Sequence, residues 1–421
     1  MIDYATALAE LLAQVKIASA ESCRLADASG RVLAHAVVSA LDLPSFDHAA
    51  MDGYALSTRR PIVAGSEHAV FGSHAAGDGA AEGGHHDDGV DACEIMTGAR
   101  LPEGLDAVVA VERTDCLATH ADGSPARIRL HDALAAGENV RYTGSDVARG
   151  ASVIEAGTRI GAAHIMLLAA LGFSSVEVVR RPRVAVVCTG KELQADATQP
   201  LATERIYSSN GPFLCAALFA AGADVLFCKT VDDSATTYAE ALQCAVDAGA
   251  DLLISTGAVS MGRFDFVPET LRRFDATVLF HKVGIRPGKP LLCARLPGGL
   301  LVLALPGTPM AVAAGLRFMV TPALRAMTGQ GDEPGMVAVL DTPQQLKPGL
   351  RYFLRGSLHQ SADGQWHAAV SPQQQPFRIR PFADADVWIV LPENAGDCEA
   401  GRLVDVVSLE PGRLPHVTPA H

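Results

Sequence analysis

Two carboxylates and a glycine fall within one short segment near the N-terminus, Pro44–Ala55. Asp47 and Asp52 are acceptor-only groups that can hold a cation or a hydroxyl, and Gly53 lacks the Cβ that would keep a ligand away from the backbone. A tight turn in which the Asp side chains accept local backbone N–H groups accounts for the same residues. The segment therefore predicts either a ligand-binding loop or a structural turn.

A second segment, His281–Pro290, carries three permanent cations in an otherwise acidic chain. Lys282 and Lys289 are compact point charges suited to phosphate or another oxyanion, and Arg286 can offer a bidentate fork. An exposed basic loop paired with neighbouring acids is the alternative. Because the segment stands just before a predicted strand, we favour an oxyanion site.

Carboxylates also follow predicted strands at points where they can gather around a cation. Glu192 comes just after Gly190, Asp233 follows a strand, and Asp265 follows Gly257 at a short distance. Magnesium usually takes one or two protein carboxylates and completes its coordination with water and phosphates. Asp265 also precedes a predicted helix, where Asp is a preferred cap. We expect metal-dependent phosphate chemistry, with Glu192, Asp232, Asp233 and Asp265 as candidate metal ligands.

The composition limits the classes of partner and the compartment. The 421 residues are 49% hydrophobic and 19% charged, with a formal net charge of −13, which argues against nucleic acid and anionic membranes as partners. Nine Cys without a C-x-x-C pair argue against a disulfide framework or a structural zinc site and favour a reducing cytosol. With no basic N-terminal region and no apolar run of roughly 20 residues, we expect a cytoplasmic protein.

The pattern from Arg183 onward alternates short apolar runs with helical segments, which predicts a mostly parallel sheet covered by helices. Three of its predicted strands end in Gly190, Gly257 and Gly307. In open α/β sheets, ligands bind beyond the carboxyl ends of the strands, and glycine there lets backbone N–H groups face an anion. We therefore expect one shared site at this edge of the sheet.

Other segments complete the expected organisation. Helical spacing predicts an opening helix over Asp3–Ala18 and another over Met310–Met327. His74–Asp91 is typical of a loop, and its cluster His85–Asp88 is either a metal site or, as we favour, a solvated segment. The fold class is α/β multidomain. The predicted domains are a mixed α/β domain (1–50 and 138–181), an inserted β-rich domain (51–137), an α/β domain (182–330) and a C-terminal β domain (335–411).

The sequence contains no P-loop, nucleophile elbow or dinucleotide fingerprint. The residues alone therefore indicate a magnesium-assisted binder of a phosphorylated, anionic small molecule.

Eight segments together resemble the molybdopterin molybdenumtransferase family, to which the E domain of gephyrin also belongs. They run in family order over nearly the whole chain, and as a set they are specific. These segments are Pro44–Ala55, Ile95–Gly104, Gly137–Asp146, Cys188–Leu193, Ser209–Gly211, Ser255–Asp265, Lys282–Pro290 and Leu305–Pro309.

The resemblance implies a fold, an assembly and a reaction. It implies four domains, of which residues 182–330 are of the molybdopterin-binding type, and an elongated homodimer whose site lies in a cleft between subunits. The substrates would be molybdate and adenylylated molybdopterin, which react with Mg²⁺ present to release AMP and leave molybdenum on the dithiolene. Other molybdenum cofactor biosynthesis proteins or molybdoenzymes are further implied partners.

The resemblance also assigns roles to residues of this chain. Catalytic roles fall on acids and lysines, with Asp52 and Asp146 contributed by the partner subunit: Asp52, Asp146, Glu192, Asp233, Asp265, Lys282 and Lys289. Binding of the pterin phosphate or nucleotide falls on small and turn-forming residues: Thr97, Thr189, Gly190, Ser208, Asn210, Gly257, Ser260, Pro287, Gly288, Pro306, Gly307 and Pro309.

The chain departs from the family pattern at three places. Ala258 stands where a second Gly is usual, Thr308 where Asn is usual, and Gln373–Gln375 where Gly-Ser-Gly is usual. A Cβ at position 258 can block close backbone approach, and Thr308 lacks an amide donor. A noncatalytic paralogue that binds molybdopterin or acts as a scaffold or chaperone for a molybdoenzyme is therefore the alternative to the transferase. A molybdate-independent phosphotransferase on a similar sheet is a third possibility.

Overall fold

The computed structural model describes residues 1–79, 91–259 and 266–411, and the backbone of the strand Val417–Thr418. The described chain divides into two compact units, each built from separate stretches of sequence. Unit 1 comprises Met1–His35, Ala156–Gly161 and Ser175–His421, and unit 2 comprises Ala36–Glu155 and Ala162–Ser174.

Unit 2 is built around a six-stranded sheet. In spatial order its strands are Ala107–Ala110, Gly53–Leu56, Asp91–Ile95, Glu67–His74, Pro125–Leu130 and Thr114–Thr119. The unit also contains the paired strands His48–Ala49 and Val140–Arg141, the paired strands Val37–Val38 and Ser152–Ile154, a 3₁₀ turn at Val111–Arg113 and the helix Ala162–Ala170. Tyr54, Leu56 and Ile128 are buried at its core.

Packing between two strands explains why residue 53 is glycine. Its strand pairs with Ala107–Ala110, with Gly53 opposite Ala110. A Cβ at Gly53 would overlap the carbonyl oxygen of Val109. The space beside Gly53 is therefore occupied by the neighbouring strand of the sheet. The prediction that Gly53 leaves room for a ligand is wrong.

Unit 1 begins with the helix Tyr4–Leu12, which is shorter than the predicted Asp3–Ala18. The Asp3 carboxylate caps it by accepting from the backbone N of Thr6 at 2.8 Å. The helix stops early because the chain turns away and the backbone N of Ala18 donates to Met327 O at 2.8 Å. A small sheet follows, formed by Ala20–Arg24, Ser175–Val179 and Val32–Leu33, with a 3₁₀ turn at Leu25–Asp27.

The α/β sheet of unit 1 has six strands: β1 (Arg183–Thr189), β2 (Asp224–Val231), β3 (Leu252–Thr256), β4 (Thr277–His281), β5 (Leu292–Arg295) and β6 (Leu301–Leu305). Their spatial order is β2-β1-β3-β6-β5-β4. The first four in this order are parallel, whereas β5 is antiparallel to both of its neighbours. Five strands thus share one direction, which confirms the predicted mostly parallel sheet.

Helices cover both faces of this sheet, which is why its strands are almost uninterrupted apolar runs. Among them are Asn210–Ala220, Ala235–Asp247, Val267–Arg273 and the long helix that begins at Pro309. The short strands Leu193–Gln194 and Ile206–Tyr207 form a separate parallel pair. Val186 packs on one face with Leu214, whereas Val187 packs on the other face with Leu242. Alternate residues of β1 therefore serve two separate hydrophobic cores.

The predicted helix Met310–Met327 is present but contains a π-helical turn. It runs as Pro309–Gly315, the π turn Leu316–Val320, and Thr321–Met327. Pro322 has no N–H to bond the carbonyl of Phe318, and that carbonyl instead accepts from Tyr4 Oη at 3.0 Å. By length and composition this helix could span a membrane, but 83% of its apolar window is buried inside the protein, as expected of a core helix.

The C-terminal part of unit 1 is a small β barrel. Its strands are β7 (Met336–Leu340), β8 (Arg351–Gln360), β9 (Trp366–Val370), β10 (Val387–Leu391) and β11 (Leu403–Ser408). The barrel closes because β8 pairs with both β9 and β10. Ile285–Arg286 and Val417–Thr418 also pair with β8, and a short helix spans Arg380–Ala383.

Candidate functional site

The glycines that follow three parallel strands lie side by side at the carboxyl edge of the α/β sheet. The backbone N of Gly190 donates to Val231 O at 3.1 Å, and the backbone N of Gly257 donates to Leu305 O at 2.9 Å. A Cβ on Gly307 would lie only 3.5 Å from the Cα of Gly257. The structure therefore brings the three predicted glycine turns together.

Crowding at this edge explains why Gly257 is glycine. Its φ is +92°, and a Cβ there would approach Thr189 O to 2.8 Å. The Thr189 hydroxyl is itself committed, since it donates to Thr256 O at 3.1 Å. The next residue, Ala258, has φ +49°, so the chain adopts the left-handed conformation even at a residue with a Cβ.

Two more predicted binding residues lie at the start of the helix beside these turns. Asn210 is 9% exposed, and its Nδ2 donates to Gly307 O at 2.8 Å. Ser208, just before the helix, has a buried hydroxyl that makes no hydrogen bond within the described residues. Asn210 thus orients the turn after β6, while the Ser208 hydroxyl is enclosed beside the Cys188 thiol.

The predicted metal ligands Glu192 and Asp233 also lie at the carboxyl edge. The carboxylate of Glu192 folds back toward Gly190, where an added Cβ would lie 2.8 Å from Glu192 Oε1. Asp233 Oδ2 accepts from the backbone N of Lys191 at 3.2 Å. Neither carboxylate forms an ion pair in the described part of the chain. Asp265 and Ser260 lie outside the described residues, as does the cluster His85–Asp88.

The basic loop lies at the same edge because β4 runs in the same direction as β1, β3 and β6. The loop is closed by the backbone N of Val283, which donates to Lys289 O at 2.9 Å. His281 Nε2 lies 3.0 Å from Val259 O, directly after the Gly257 turn. Lys289 is exposed and Lys282 is partly buried with φ +71°.

The three cations of this loop differ in what they contact. The guanidinium carbon of Arg286 lies 5.9 Å from the centroid of the Tyr352 ring. The ammonium groups of Lys282 and Lys289 form no ion pair among the residues described. Among the described residues, these two lysines therefore do not pair with neighbouring acids as the alternative interpretation required.

Turn residues shape the loops that carry these groups. Gly288 has φ +109°, and a Cβ there would approach Ile285 Cδ1 to 3.1 Å. Pro287 precedes it, Pro306 follows β6, and Pro309 starts the long helix at its first turn, where a missing N–H costs nothing.

In unit 2 the other three motif segments converge on one surface. The backbone N of Gly98 donates to Ala49 O at 2.9 Å, and that of Ala50 donates to Asn139 O at 2.9 Å. The backbone N of Gly144 donates to Pro44 O at 2.9 Å. Segments around residues 44–52, 96–101 and 139–147 thus form one cluster of loops.

Each Asp of the Pro44–Ala55 segment is held by a threonine from another loop of this cluster. Asp52 Oδ1 accepts from Thr97 N at 2.7 Å and Thr97 Oγ1 at 2.8 Å. Asp47 Oδ1 accepts from Thr143 N and Oγ1, both at 2.7 Å. These backbone and hydroxyl hydrogen bonds lower the pKa of both carboxyl groups. Both carboxylates therefore act as structural acceptors, as in the turn alternative, but their donors are threonines distant in sequence instead of a local turn.

Asp146 lies in the same cluster. Its backbone N donates to Leu43 O at 3.0 Å, and its side chain is exposed without a hydrogen bond in the part of unit 2 that is described. Of the predicted residues in this unit, Asp52 and Thr97 contact each other, and Asp146 is free to meet a ligand.

Comparison with known proteins identifies the family. Residues 2–172 match the MoeA N-terminal region (domain I and II), residues 185–326 a probable molybdopterin binding domain, and residues 337–409 the MoeA C-terminal region (domain IV). The molybdopterin molybdenumtransferase of Synechococcus elongatus is 32% identical over 417 residues, covering 97% of this chain and 100% of that protein. This chain belongs to the molybdopterin molybdenumtransferase family.

Other relatives agree with this assignment. Molybdopterin molybdenumtransferase 2 of Mycobacterium tuberculosis is 34% identical, covering 91% of this chain and 94% of that protein. The crystal structure of the molybdopterin biosynthesis MoeA protein from Pyrococcus horikoshii OT3 has a TM-score of 0.80 and 25% identity, covering 97% of this chain and 100% of that one. The predicted family and α/β multidomain fold are thus confirmed.

One part of the site in this molybdopterin molybdenumtransferase family member was missed by sequence reasoning. Arg355 is 1% exposed, and it holds the loop containing Gln373–Gln375 by donating to Gln373 O at 2.6 Å and Arg378 O at 2.8 Å. The Gln374 amide completes the contact by donating to Arg355 O at 2.8 Å. This departure from the family pattern therefore has a structural partner.

The same loop reaches the carboxyl edge of the sheet. The backbone N of Met310, next to the Gly307–Pro309 turn, donates to Pro376 O at 3.0 Å. The loop also lines a cavity of about 730 Å³ together with Arg378 and Arg380. The signal that could have identified it is the run Phe377–Arg380, which places apolar and basic residues on an exposed loop.

Proposed function

We propose that the protein inserts molybdate into adenylylated molybdopterin and releases AMP, with Mg²⁺ required. The observation that supports this most directly is the carboxyl edge of the α/β sheet. There, two unpaired lysines, glycine-lined backbone and two carboxylates of the described chain share one edge in a protein whose net charge is −13. In the reaction, the phosphoanhydride that joins AMP to molybdopterin is hydrolysed, and molybdenum remains on the dithiolene.

The groups at this edge suit the parts of such a substrate. The turns at Gly190, Gly257 and Gly307 lack side chains, which leaves room for a phosphate beside them, although the N–H groups of Gly190 and Gly257 already donate to Val231 O and Leu305 O. Lys282 and Lys289 neutralise phosphate and molybdate oxygens, whose negative charge an acidic protein would otherwise repel. These roles also agree with the family to which the chain belongs.

The carboxylates present fit Mg²⁺. Glu192 and Asp233 are hard oxygen donors without cationic partners among the described residues, and this ion commonly uses one or two protein carboxylates. Asp265 is the third ligand that we propose. When bound, the ion neutralises charge at the cleaved phosphate and orients the reacting oxygens.

We further propose that two copies of the chain assemble as a homodimer in the cytoplasm. Asp52, Thr97 and Asp146 of one copy would then complete the site on the α/β sheet of the other. Asp52 is held in place by Thr97 and kept ionised by a lowered pKa, so it can present a fixed negative charge or acceptor. Other molybdenum cofactor biosynthesis proteins or molybdoenzymes would receive the product.

A turnover assay tests the reaction. Purified protein is given adenylylated molybdopterin, molybdate and Mg²⁺, and AMP is measured. AMP release that depends on molybdate and the metal supports the transferase, and phosphate transfer without molybdate contradicts it. Tight molybdopterin binding without AMP release supports a noncatalytic binder.

Mixed dimers test the shared site. A chain carrying Asp52→Ala is co-expressed with a chain carrying Lys289→Ala, and the mixed dimer is purified through two different tags. If each site takes Asp52 and Lys289 from different copies, one of the two sites carries neither substitution and turnover recovers to about half. If both residues come from the same copy, every site carries one substitution and the mixed dimer stays as inactive as the single variants.

A further inference from the structure

Two histidines and an aspartate meet on the C-terminal barrel. None of them belongs to the α/β sheet or to the loops at its carboxyl edge. His359 on β8 and His367 on β9 are directly paired across the two antiparallel strands. Asp341 directly follows the end of β7, which is the other neighbour of β9. Three neighbouring stretches of the barrel thus each contribute one side chain.

The three side chains already face one another. Asp341 Oδ1 lies 3.0 Å from His367 Nδ1, and Asp341 Oδ2 lies 3.7 Å from His359 Nε2. The two imidazole rings are stacked with centroids 5.3 Å apart. One nitrogen of each imidazole and one oxygen of the carboxylate lie within 4.8 Å of one another.

The cluster lies on the outer face of the barrel sheet. Leu358 and Ala368, the neighbours of the two histidines, are fully buried and point into the barrel core. Since successive residues of a strand face opposite sides, the histidines point outward. Their side chains are 36% and 24% exposed, so an ion can enter from solvent.

We propose that Asp341, His359 and His367 form a binding site for a divalent transition-metal ion such as Zn²⁺. Two imidazoles and one carboxylate are a donor set that such ions use, with water at the remaining position. With ligand bonds of about 2.1 Å, tetrahedral ligand atoms lie about 3.4 Å apart, so the most widely spaced pair has to close by at most about 1.5 Å, a change within reach of side-chain rotation. In the described residues no Lys or Arg pairs with Asp341. The ion would tie β7, β8 and β9 together.

The site differs in chemistry from the proposed magnesium site at the sheet edge. Mg²⁺ prefers oxygen ligands, whereas imidazole suits Zn²⁺, Ni²⁺ and Cu²⁺. The inference therefore does not depend on the proposed transferase function, and Mg²⁺ should not compete at this site.

Titration of the full-length protein with Co²⁺ and Zn²⁺ tests the site. Co²⁺ reports its ligands by its visible absorption, and a site of two histidines and one carboxylate lacks the thiolate charge-transfer band that any of the nine cysteines would add. We expect one high-affinity Co²⁺ per chain, displaced by Zn²⁺, with spectra free of that band. His359→Gln should raise the Kd at least tenfold, about the loss expected when a metal site is weakened.

A matched control comes from unit 2. His131 Nε2 lies 3.0 Å from Asp115 Oδ1, the same distance as in the His367–Asp341 pair, but no second histidine joins it in the described residues. His131→Gln should leave the Kd unchanged. Asp341→Asn is a second test that keeps side-chain volume, and circular dichroism checks that each variant is folded.

The results separate the possibilities. Stoichiometric binding that both His359→Gln and Asp341→Asn weaken, and His131→Gln does not, supports the site. Binding with a thiolate band, binding that the variants leave unchanged, or no binding at micromolar metal overturns it, and the cluster is then only a hydrogen-bonded His–Asp contact.

Discussion

The two edges of the α/β sheet treat charged side chains differently. At the amino edge, Asp251 directly precedes β3, and both of its carboxylate oxygens accept hydrogen bonds. Each oxygen accepts from one guanidinium nitrogen of Arg180 at 2.7 Å, and Oδ2 also accepts from the backbone N of Arg183 at 2.7 Å. At the carboxyl edge, Lys282, Lys289 and Glu192 form no ion pair among the described residues. Charge is thus used for stability at one edge and left for a ligand at the other.

The pKa of Asp251 agrees with a structural role. Burial alone would raise its pKa, but the hydrogen bonds from Arg180 and from the backbone of Arg183 outweigh burial, and the pKa is lowered. The resulting stability is present above the unfolded-state pKa and is lost as pH falls through the lower folded-state pKa.

The largest effect is expected from Lys289→Ala. Loss of this charge should lower molybdate-dependent AMP release by about 10²–10³-fold, the usual cost of removing a group that stabilises a developing oxyanion. The midpoint of urea unfolding should not change, because Lys289 is exposed and unpaired in the described chain. Turnover equal to that of the wild type would remove Lys289 from the site.

The opposite pattern is expected from Asp251→Asn at the amino edge. Removing one partner of this half-buried pair should lower the free energy of unfolding by about 2 kcal/mol, less than for a fully buried pair because both side chains are partly exposed. AMP release per folded molecule should be unchanged. Urea unfolding at neutral pH and near pH 3 measures this, since the difference between wild type and variant should shrink at the lower pH.

If Asp251→Asn reduced turnover as strongly as Lys289→Ala while the protein stayed folded, the division between the two edges would be wrong. The ion pair between Arg31 and Glu21, which lies on the small N-terminal sheet, provides a control. Breaking it shows what the loss of an ion pair remote from the proposed site does to turnover. Glu21→Gln should cost under about 1 kcal/mol because Glu21 is half exposed.

The shared edge of the α/β sheet could be predicted from the sequence, because parallel strands bring their carboxyl ends together whatever the loops contain. Gly190, Gly257 and Gly307 were grouped correctly for this reason. Partners that depend on three-dimensional packing were not predictable in the same way. Thr97 and Thr143 stand 45 and 96 residues from the Asp residues they hold.

Three further features depend on which strands pair and how closely they pack. Close approach of a ligand was one of two interpretations of Gly53, whereas the backbone of Val109 is what excludes a Cβ there. The contact of Arg355 with Gln374 and the cross-strand pair His359–His367 depend on strand register, which short motifs do not contain. The sequence thus indicated which residues carry charge, and the fold decided which of them are already paired.

A smaller effect is expected from Thr97→Val in unit 2. The substitution removes the hydroxyl donor to Asp52, so the pKa of Asp52 should rise toward its ordinary value while the backbone donor keeps part of the shift. An NMR titration of the Asp52 carboxyl group measures the change. Asp47, held by Thr143, should titrate as in the wild type, and a parallel shift of both groups would mean that the loop cluster itself had changed.

The smallest change in stability is expected from Ala258→Gly. An L residue at φ +49° is disfavoured by about 1 kcal/mol, while glycine adds a similar entropy to the unfolded chain, so the two effects should nearly cancel. Ala121→Gly, at a hairpin turn without a positive φ, has only the entropic effect and should be the more destabilising of the two. If the Cβ of Ala258 limits backbone approach to the substrate, AMP release should increase in Ala258→Gly although stability does not. Unchanged release would mean that the left-handed turn after Gly257 already admits the substrate with its Cβ in place.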